Sequence, residues 1–306
     1  MSKILKTLVT LALVVVVGGG GAYYWYCLQE PGQPETPFEL SLSDLRMLAG
    51  NIPGAKAVAI DVEFIATLEA PLAGIITGGD WSTQKIEVLA YQIRFQDSHI
   101  VVDVAMNAAQ AETAEAVFFD EEAFGRLERA LASASQIVVT HEHYDHIGTI
   151  VTADNLVDLL PALRLTPAQI NQPHMMMPIG FPDGVFDAYS PLEYDRYLAI
   201  APGVVLIKSP GHTRGSQMVF VELADGRELL FVGDVAWHMV NIEAGMGRPR
   251  FVSEFILEED RDAVFAQLLA LKQLHDGNPT VEIIAGHDGH LLKGLIAKGV
   301  VKRGFR

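Results

Sequence analysis

The chain of 306 residues contains one cysteine, Cys27. A single thiol excludes an intrachain disulfide and any zinc knuckle built on cysteine, so a metal site has to draw on His, Asp or Glu. Basic residues are scarce as well: 22 Lys and Arg stand against 38 Asp and Glu, a net charge of −16. No run of Lys or Arg forms a patch that would offset the repulsion of a phosphate backbone, which argues against nucleic acid as a partner. Repeats are absent too, and no low-complexity tract occurs beyond the first 28 residues. What the chain does have is apolar mass, at 50% of its residues, enough for one large domain or two small ones with a real core.

Residues 1–28 stand apart. Behind Lys3 and Lys6 runs TLVTLALVVVVGGGGAYYWYCL, 22 residues without a charge, which as one helix would reach the roughly 30 Å needed to cross a bilayer. The lysines favour a cytoplasmic N-terminus, and Tyr23, Tyr24, Trp25 and Tyr26 stand where an aromatic belt belongs. The expectation is a transmembrane anchor with the remainder outside the cytoplasm, periplasmic or extracellular. The rival is a cleaved signal peptide, with Gly20 and Ala22 flanking the cut and a secreted product. Lipidation of Cys27 is disfavoured by the bulky residues before it.

Residues 29–50 read as a linker and a short helix. QEPGQPETPFEL carries three prolines and no hydrophobic period, and SLSDLRMLA starts on the capping signal of Ser41 followed by Asp44. From residue 51 to 306 a single catalytic domain is expected. VAIDVEFIATLEA, KIEVLAYQIRF and HIVVDVAM alternate as half-buried strands. Helix and strand then take turns: EEAFGRLERALASA, QIVVT, NLVDLL, VVLIKSP, SQMVFVEL, ELLFVGD, the long amphipathic EEDRDAVFAQLLALKQLH, VEIIAGHD and LLKGLIAKGV. Residues 171–194, rich in Pro, Gly, Met and aromatics, lack a period and suit a lid or pocket wall.

The chemistry gathers at strand ends. QIVVT runs into His141, LIKSP into His212, LLFVGD into Asp234 and EIIAGH into His287, and a rigid sheet with loops at one edge is where sites are built. In THEHYDHIG (140–148), alternation along extended backbone turns His141, His143 and Asp145 to one side and Glu142 and Tyr144 away. His146 follows as the chain turns. The spacing offers two imidazoles for one ion and a carboxylate with an imidazole for a neighbour. His212 completes the first set, His287 joins Asp145 and His146, and Asp234 has an oxygen for each. Imidazole and carboxylate ligands suit zinc, with Mn or Fe as weaker matches.

These four segments, THEHYDHIG, SPGHTRGS, FVGD and AGHD in that order, resemble the motifs of the metallo-β-lactamase superfamily over most of residues 55–306. The resemblance implies an α/β fold, a four-layered αβ/βα sandwich, with two zinc ions at one edge of its sheets. It assigns His141, His143, His212 and Asp234 to one ion and Asp145, His146, His287 and Asp234 to the other. Asp145 and Asp234 are the carboxylates expected to serve catalysis as well. A metal-bridging hydroxide would then attack a carbonyl of a small-molecule substrate. Asp103, in HIVVDVAM, resembles the family's strand-end aspartate that orients a ligand.

Branches of the family differ at single positions. His143 stands where flavodiiron-type oxidoreductases carry Glu, and no Cys is available for the second site of the commonest lactam-cleaving subclass. Segments specific to glyoxalase-like and nuclease branches are missing. The closest likeness is to lactonases and related esterases, although Trp237 replaces a tyrosine common there and Thr149 replaces the second glycine of H-x-G-G. The expectation is a dinuclear zinc hydrolase acting on a lactone or carboxylic ester. Cleavage of β-lactams or phosphoesters is the alternative, and a membrane-tethered protein with a purely structural metal site is the remaining class. Among other residues, His174, Trp237, His238 and His290 are candidates for the substrate pocket. Arg248 and Arg250 are candidates for a carboxylate clamp, more simply read as solvated. His99, His275, Trp81, Tyr189, Tyr194 and the Met175–Met177 run read as packing or surface.

Overall fold

A computed structural model describes residues 3–171 and 180–306. In chain order the elements are α1 (Lys3–Tyr23), α2 (Leu42–Ala49), β1 (Ala59–Pro71), α3 (Leu72–Ile75), β2 (Thr83–Arg94), β3 (His99–Val102), α4 (Ala108–Thr113), β4 (Phe118–Phe119), α5 (Glu121–Ser133), β5 (Gln136–Val138), α6 (Tyr144–Val151), α7 (Leu156–Leu159) and α8 (Pro167–Ile170). The second half adds β6 (Tyr197–Ala201), β7 (Val204–Lys208), β8 (Gln217–Glu222), β9 (Glu228–Phe231), α9 (Met239–Ala244), α10 (Arg250–Phe255), α11 (Arg261–Gly277), β10 (Val281–Ile284), α12 (Gly289–Ala297) and β11 (Lys302–Arg303).

The strands form two sheets. One has the order β11-β1-β2-β3-β5, with β4 beside β1, and the other β10-β9-β8-β7-β6. Alternation along each strand sends side chains to both faces, and both faces are covered. Ile100 and Val102 of β3 face Leu206 and Val219 of the other sheet, while Val101 between them packs with Leu127 of α5 and Ile147 of α6. On the far side Val205, Ile207 and Phe220 meet Leu45 of α2 and Leu268 and Leu271 of α11. Three apolar layers between four layers of elements make the expected αβ/βα sandwich, with helices on each outer face.

Helix boundaries follow local chemistry. Ser41 caps α2 by accepting from the Asp44 N–H, Asp120 caps α5 from Ala123, and Asp260 caps α11 from Ala263. Residues 29–40 carry no regular element but lie against the body: Phe38 and Leu40 pack on the outer core, and Arg261 donates to the Gln29 carbonyl at 2.7 Å.

The N-terminal segment departs from expectation. Among the described residues no helix is long and apolar enough to cross a membrane, so a spanning anchor is not supported. The physical reason lies in where the helix stops. Between Lys6 and the end of α1 only Thr7 to Tyr23 remain, roughly 25 Å of helix against the roughly 30 Å of a hydrocarbon core. Tyr24–Leu28 wind instead as one π-helical turn. That turn lies on the body, with Tyr26 edge-on to Phe255 at 5.6 Å and Arg250 over the Trp25 ring at 4.5 Å.

Candidate metal centre

Both sheets end at the same edge, and their loops supply the site. The loop after β5 gives His141 and His143; α6 then begins at Tyr144, placing Asp145 and His146 in its first turn. The period of two therefore holds only as far as His143. Asp145 leaves the line because the backbone has turned helical. Tyr144, expected to point away, lines the cleft beside the site. Glu142 does point away: buried, it accepts from the Thr213 hydroxyl at 2.7 Å and the Gly215 N–H at 3.1 Å, tying this loop to the one after β7 that carries His212. Asp234 sits in a 3₁₀ turn after β9, and His287 follows β10.

The seven residues converge in two sets. His141, His143, His212 and Asp234 bring ligand atoms within 4.8 Å of one another, and so do Asp145, His146 and His287. Nε2 of His141 and Nε2 of His212 lie 3.0 and 2.9 Å from Nδ1 of His143. The Asp234 carboxylate faces both sets. Its Oδ2 is 3.5 Å from His212 and 3.8 Å from His141, and its Oδ1 is 3.3 Å from His146 and 3.0 Å from His287. Gly286 allows that approach, since a Cβ there would strike Asp234 Oδ1.

The opposite ring nitrogens are fixed from behind. Nδ1 of His146 meets Asp103 Oδ2 at 2.9 Å, Nδ1 of His212 meets Glu259 Oε1 at 2.6 Å, and Nδ1 of His287 meets the Glu87 carbonyl at 2.9 Å. Asp103 is held in turn by the Thr140 N–H and hydroxyl, and its backbone adopts φ 56°. A left-handed aspartate at the end of a strand is a local cost that a site can retain. Arg248, also buried, pairs with Glu259 and donates to the Asp234 carbonyl at 2.7 Å. Trp237 completes the surround by donating to Asp234 Oδ2 at 2.7 Å.

Charge explains what this cluster would hold. Burial, helped by the imidazoles around them, pushes His141 and His143 well below the usual range, so both are neutral donors. Burial acts the same way on His146 and His287, but Asp234 and its neighbours outweigh it and raise both. Asp234 shows the reverse: burial would raise it, and the surrounding histidines hold it well below the carboxylate range. Nε2 of His146 and Oδ1 of Asp234 are buried without a hydrogen-bond partner among the described residues. An unpaired ring nitrogen on His146, a shared carboxylate with an unpaired oxygen, and three imidazoles braced on their far side fit a pair of divalent cations, and the N/O donor set fits zinc.

The model of the metallo-beta-lactamase superfamily matches residues 86–278. The chain belongs to that superfamily. Curated relatives named "Probable metallo-hydrolase", from Mycobacterium tuberculosis and Mycobacterium bovis, are each 32% identical over 180 residues, covering 51% of this chain and 55% of the relative. The chain thus spans about half the length of those relatives. Among solved structures, a quorum-quenching N-acyl homoserine lactone lactonase superposes with TM-score 0.60 at 16% identity, covering 79% of this chain and 97% of that one. A structure described as a "probable metal-dependent hydrolase" from Staphylococcus aureus superposes with TM-score 0.59 at 9% identity, covering 77% of this chain and 91% of that one. These likenesses establish the superfamily fold.

The remaining expected residues divide. Trp237 lines the cleft, a cavity of about 460 Å³ in front of the ligand cluster. His238 does not: its Nε2 meets the Lys85 carbonyl at 3.0 Å at the start of α9. His290 is exposed in the first turn of α12, outside the cleft lining. His174 and the methionine run lie outside the described residues. The described part of the expected lid packs elsewhere, with Phe181, Phe186 and Tyr189 against the outer helical core. Arg248 is an internal strut and Arg250 pairs with Glu254, so neither clamps a substrate. Reading the sequence missed Glu259, Arg248 as its partner, and Tyr144. Glu259 sits in a run of acids that looks solvated, and only the fold singles it out.

Proposed function

We propose that the chain is a dinuclear metal-dependent hydrolase of neutral carbonyl substrates, a lactone or carboxylic ester. The cleft lining supports that choice. Beside the ligand residues it is apolar, with Leu68, Ile86, Trp237, Ile256 and Leu257, and its other charged groups are Glu69 and Glu258. No Lys or Arg is among the described residues lining it. Beyond the cations themselves, a phosphoester or a carboxylate-bearing β-lactam would find no basic side chain among these lining residues to pair with and would meet an acidic rim.

His141, His143 and His212 with Asp234 would hold one cation, and Asp145, His146 and His287 with Asp234 the other. Bound there, the ions would bring a water to hydroxide near neutral pH and polarise a carbonyl. The protein does the rest by position. Asp103, Glu259 and the Glu87 carbonyl keep three imidazoles in the tautomer that presents Nε2. Asp145, more open to the cleft than Asp234, is the carboxylate placed to pass a proton to the departing oxygen. Tyr144 and Trp237 line the cleft in which the carbonyl would lie.

The test is turnover of lactones, carboxylic esters, β-lactams and phosphodiesters by the zinc-loaded protein, repeated with His143→Ala. The reading expects neutral lactones or esters to lead and His143→Ala to lose more than about 100-fold. Phosphodiesters in front, or activity unchanged by the substitution, contradicts it. A location outside the cytoplasm is part of the proposal. It rests on Lys3 and Lys6 preceding an uncharged run, a pattern read by export machinery, and cell fractionation checks it.

A further inference from the structure

Beside the metal cleft lies a second cavity of about 320 Å³ that the proposed chemistry leaves unused. The two share Ala70, Trp237 and Ile256 in their walls and so adjoin at Trp237, whose indole N–H is bound to Asp234 on the cleft side. Their linings differ in kind. The cleft carries carboxylates and imidazoles, whereas the second cavity is walled by Leu28, Pro71, Trp81, Phe251 and Val252, with no charged residue among the described ones lining it. Part of its wall is the end of α1 and the turn that follows, through Tyr23, Cys27 and Leu28.

That turn is fastened at several points. Gly78 N–H reaches the Cys27 carbonyl at 3.4 Å, Arg250 covers Trp25, and Tyr26 meets Phe255 edge-on. The segment ahead of the catalytic domain therefore supplies one wall of this apolar chamber, through Tyr23, Cys27 and Leu28. Its lining is predominantly apolar, and its volume is within the range of a small-molecule subsite, roughly 300 to 1,000 Å³.

We propose that this chamber binds the hydrocarbon tail of the substrate whose carbonyl occupies the cleft, which makes the substrate class amphiphilic lactones or esters with an unbranched apolar chain. The inference rests on the hydrolase reading for its carbonyl end. Tail selection then depends on residues 23–28 as well as on Trp81 and Val252, and chain length is read at a distance from the metals.

The experiment uses the full-length, zinc-loaded chain and a series of straight-chain esters from acetate to decanoate. Each methylene that enters the chamber should raise kcat/KM roughly fourfold, the equivalent of about 0.8 kcal/mol, mainly through KM, until the chamber is filled. Val252→Phe and, from the opposite wall, Cys27→Phe reduce its volume. Both should stop the rise at a shorter tail and leave acetate turnover unchanged. A flat series in the unaltered protein, or variants that slow acetate and decanoate alike, overturns the proposal.

Binding of decanoate itself, followed by the fluorescence of Trp81 and Trp237, gives a readout without turnover. Saturable binding weakened in both variants supports the chamber, even if no ester is cleaved and the hydrolase reading fails. Response only to lipid vesicles or to decanoate micelles, with none to the monomer, overturns it.

Discussion

The indole Nε1 of Trp237 donates to Oδ2 of Asp234 at 2.7 Å while the same ring lies under the Arg248 guanidinium, 4.9 Å from the centroid, and edge-on to His287 at 5.9 Å. One side chain thus orients the carboxylate shared by both ligand sets and walls two cavities. Trp237→Phe keeps an aromatic ring, though a smaller one, and removes the donor. A hydrogen bond to a charged acceptor contributes about 1.5–3 kcal/mol, so kcat/KM should fall about 10- to 100-fold with the melting temperature little changed. A loss confined to stability would contradict the orienting role.

Asp103 acts through His146. Asp103→Asn preserves a residue type that tolerates positive φ but replaces the charged acceptor of the His146 ring. Affinity for zinc, measured by competition with a chelator, should drop about 10- to 100-fold. Asp103→Ala should cost folding stability in addition, because the Thr140 N–H and hydroxyl lose their buried acceptor. Equal zinc affinity in the Asn variant and the parent would count against this arrangement.

Glu259 and Arg248 form a buried ion pair behind His212. Burial would raise the Glu259 carboxyl, but Arg248 and the His212 hydrogen bond outweigh it and hold it below the usual range. A depressed carboxylate stabilises the fold above its unfolded pKa of about 4.3, and that contribution is lost as pH falls through the lower folded value. Arg248→Met leaves the buried carboxylate without its cation and with only the His212 hydrogen bond, at a cost of up to about 3–5 kcal/mol. Its acid unfolding should begin at higher pH than in the parent, as a series of thermal melts from pH 7 to pH 3 would show. Arg248→Met with Glu259→Gln should recover part of the loss. An unchanged acid limb in the single variant would rule out the pair as a strut.

Much of this architecture is visible in the sequence because it rests on periodicity and strand-end punctuation. The long β1 and β2, the helices α5 and α11, and the four ligand-bearing loops each announce themselves through local pattern. Glu259 and the Glu87 carbonyl do not, since an acid in an acidic stretch and a backbone oxygen acquire meaning only when distant segments meet. The short β6, β4 and β11 are equally silent: they are paired by neighbours already in place rather than by their own propensity. Asp145 illustrates a wrong period, where a helix starts one residue earlier than extended alternation allows. The uncharged N-terminal run illustrates a wrong boundary, because its last five residues leave the α-helix for a π-helical turn that packs on Phe255 and Arg250.

The central claim is that the seven converging residues bind a pair of divalent cations on which hydrolysis depends. The most direct test is the metal content of the purified chain, determined by elemental analysis alongside lactone or ester turnover, for the parent and for His143→Ala and His287→Ala. The account predicts two equivalents of zinc in the parent, a deficit in each variant, and activity that vanishes with a chelator and returns with zinc. Turnover that persists in metal-free protein, or a parent that binds no more than one equivalent at saturation, would contradict it.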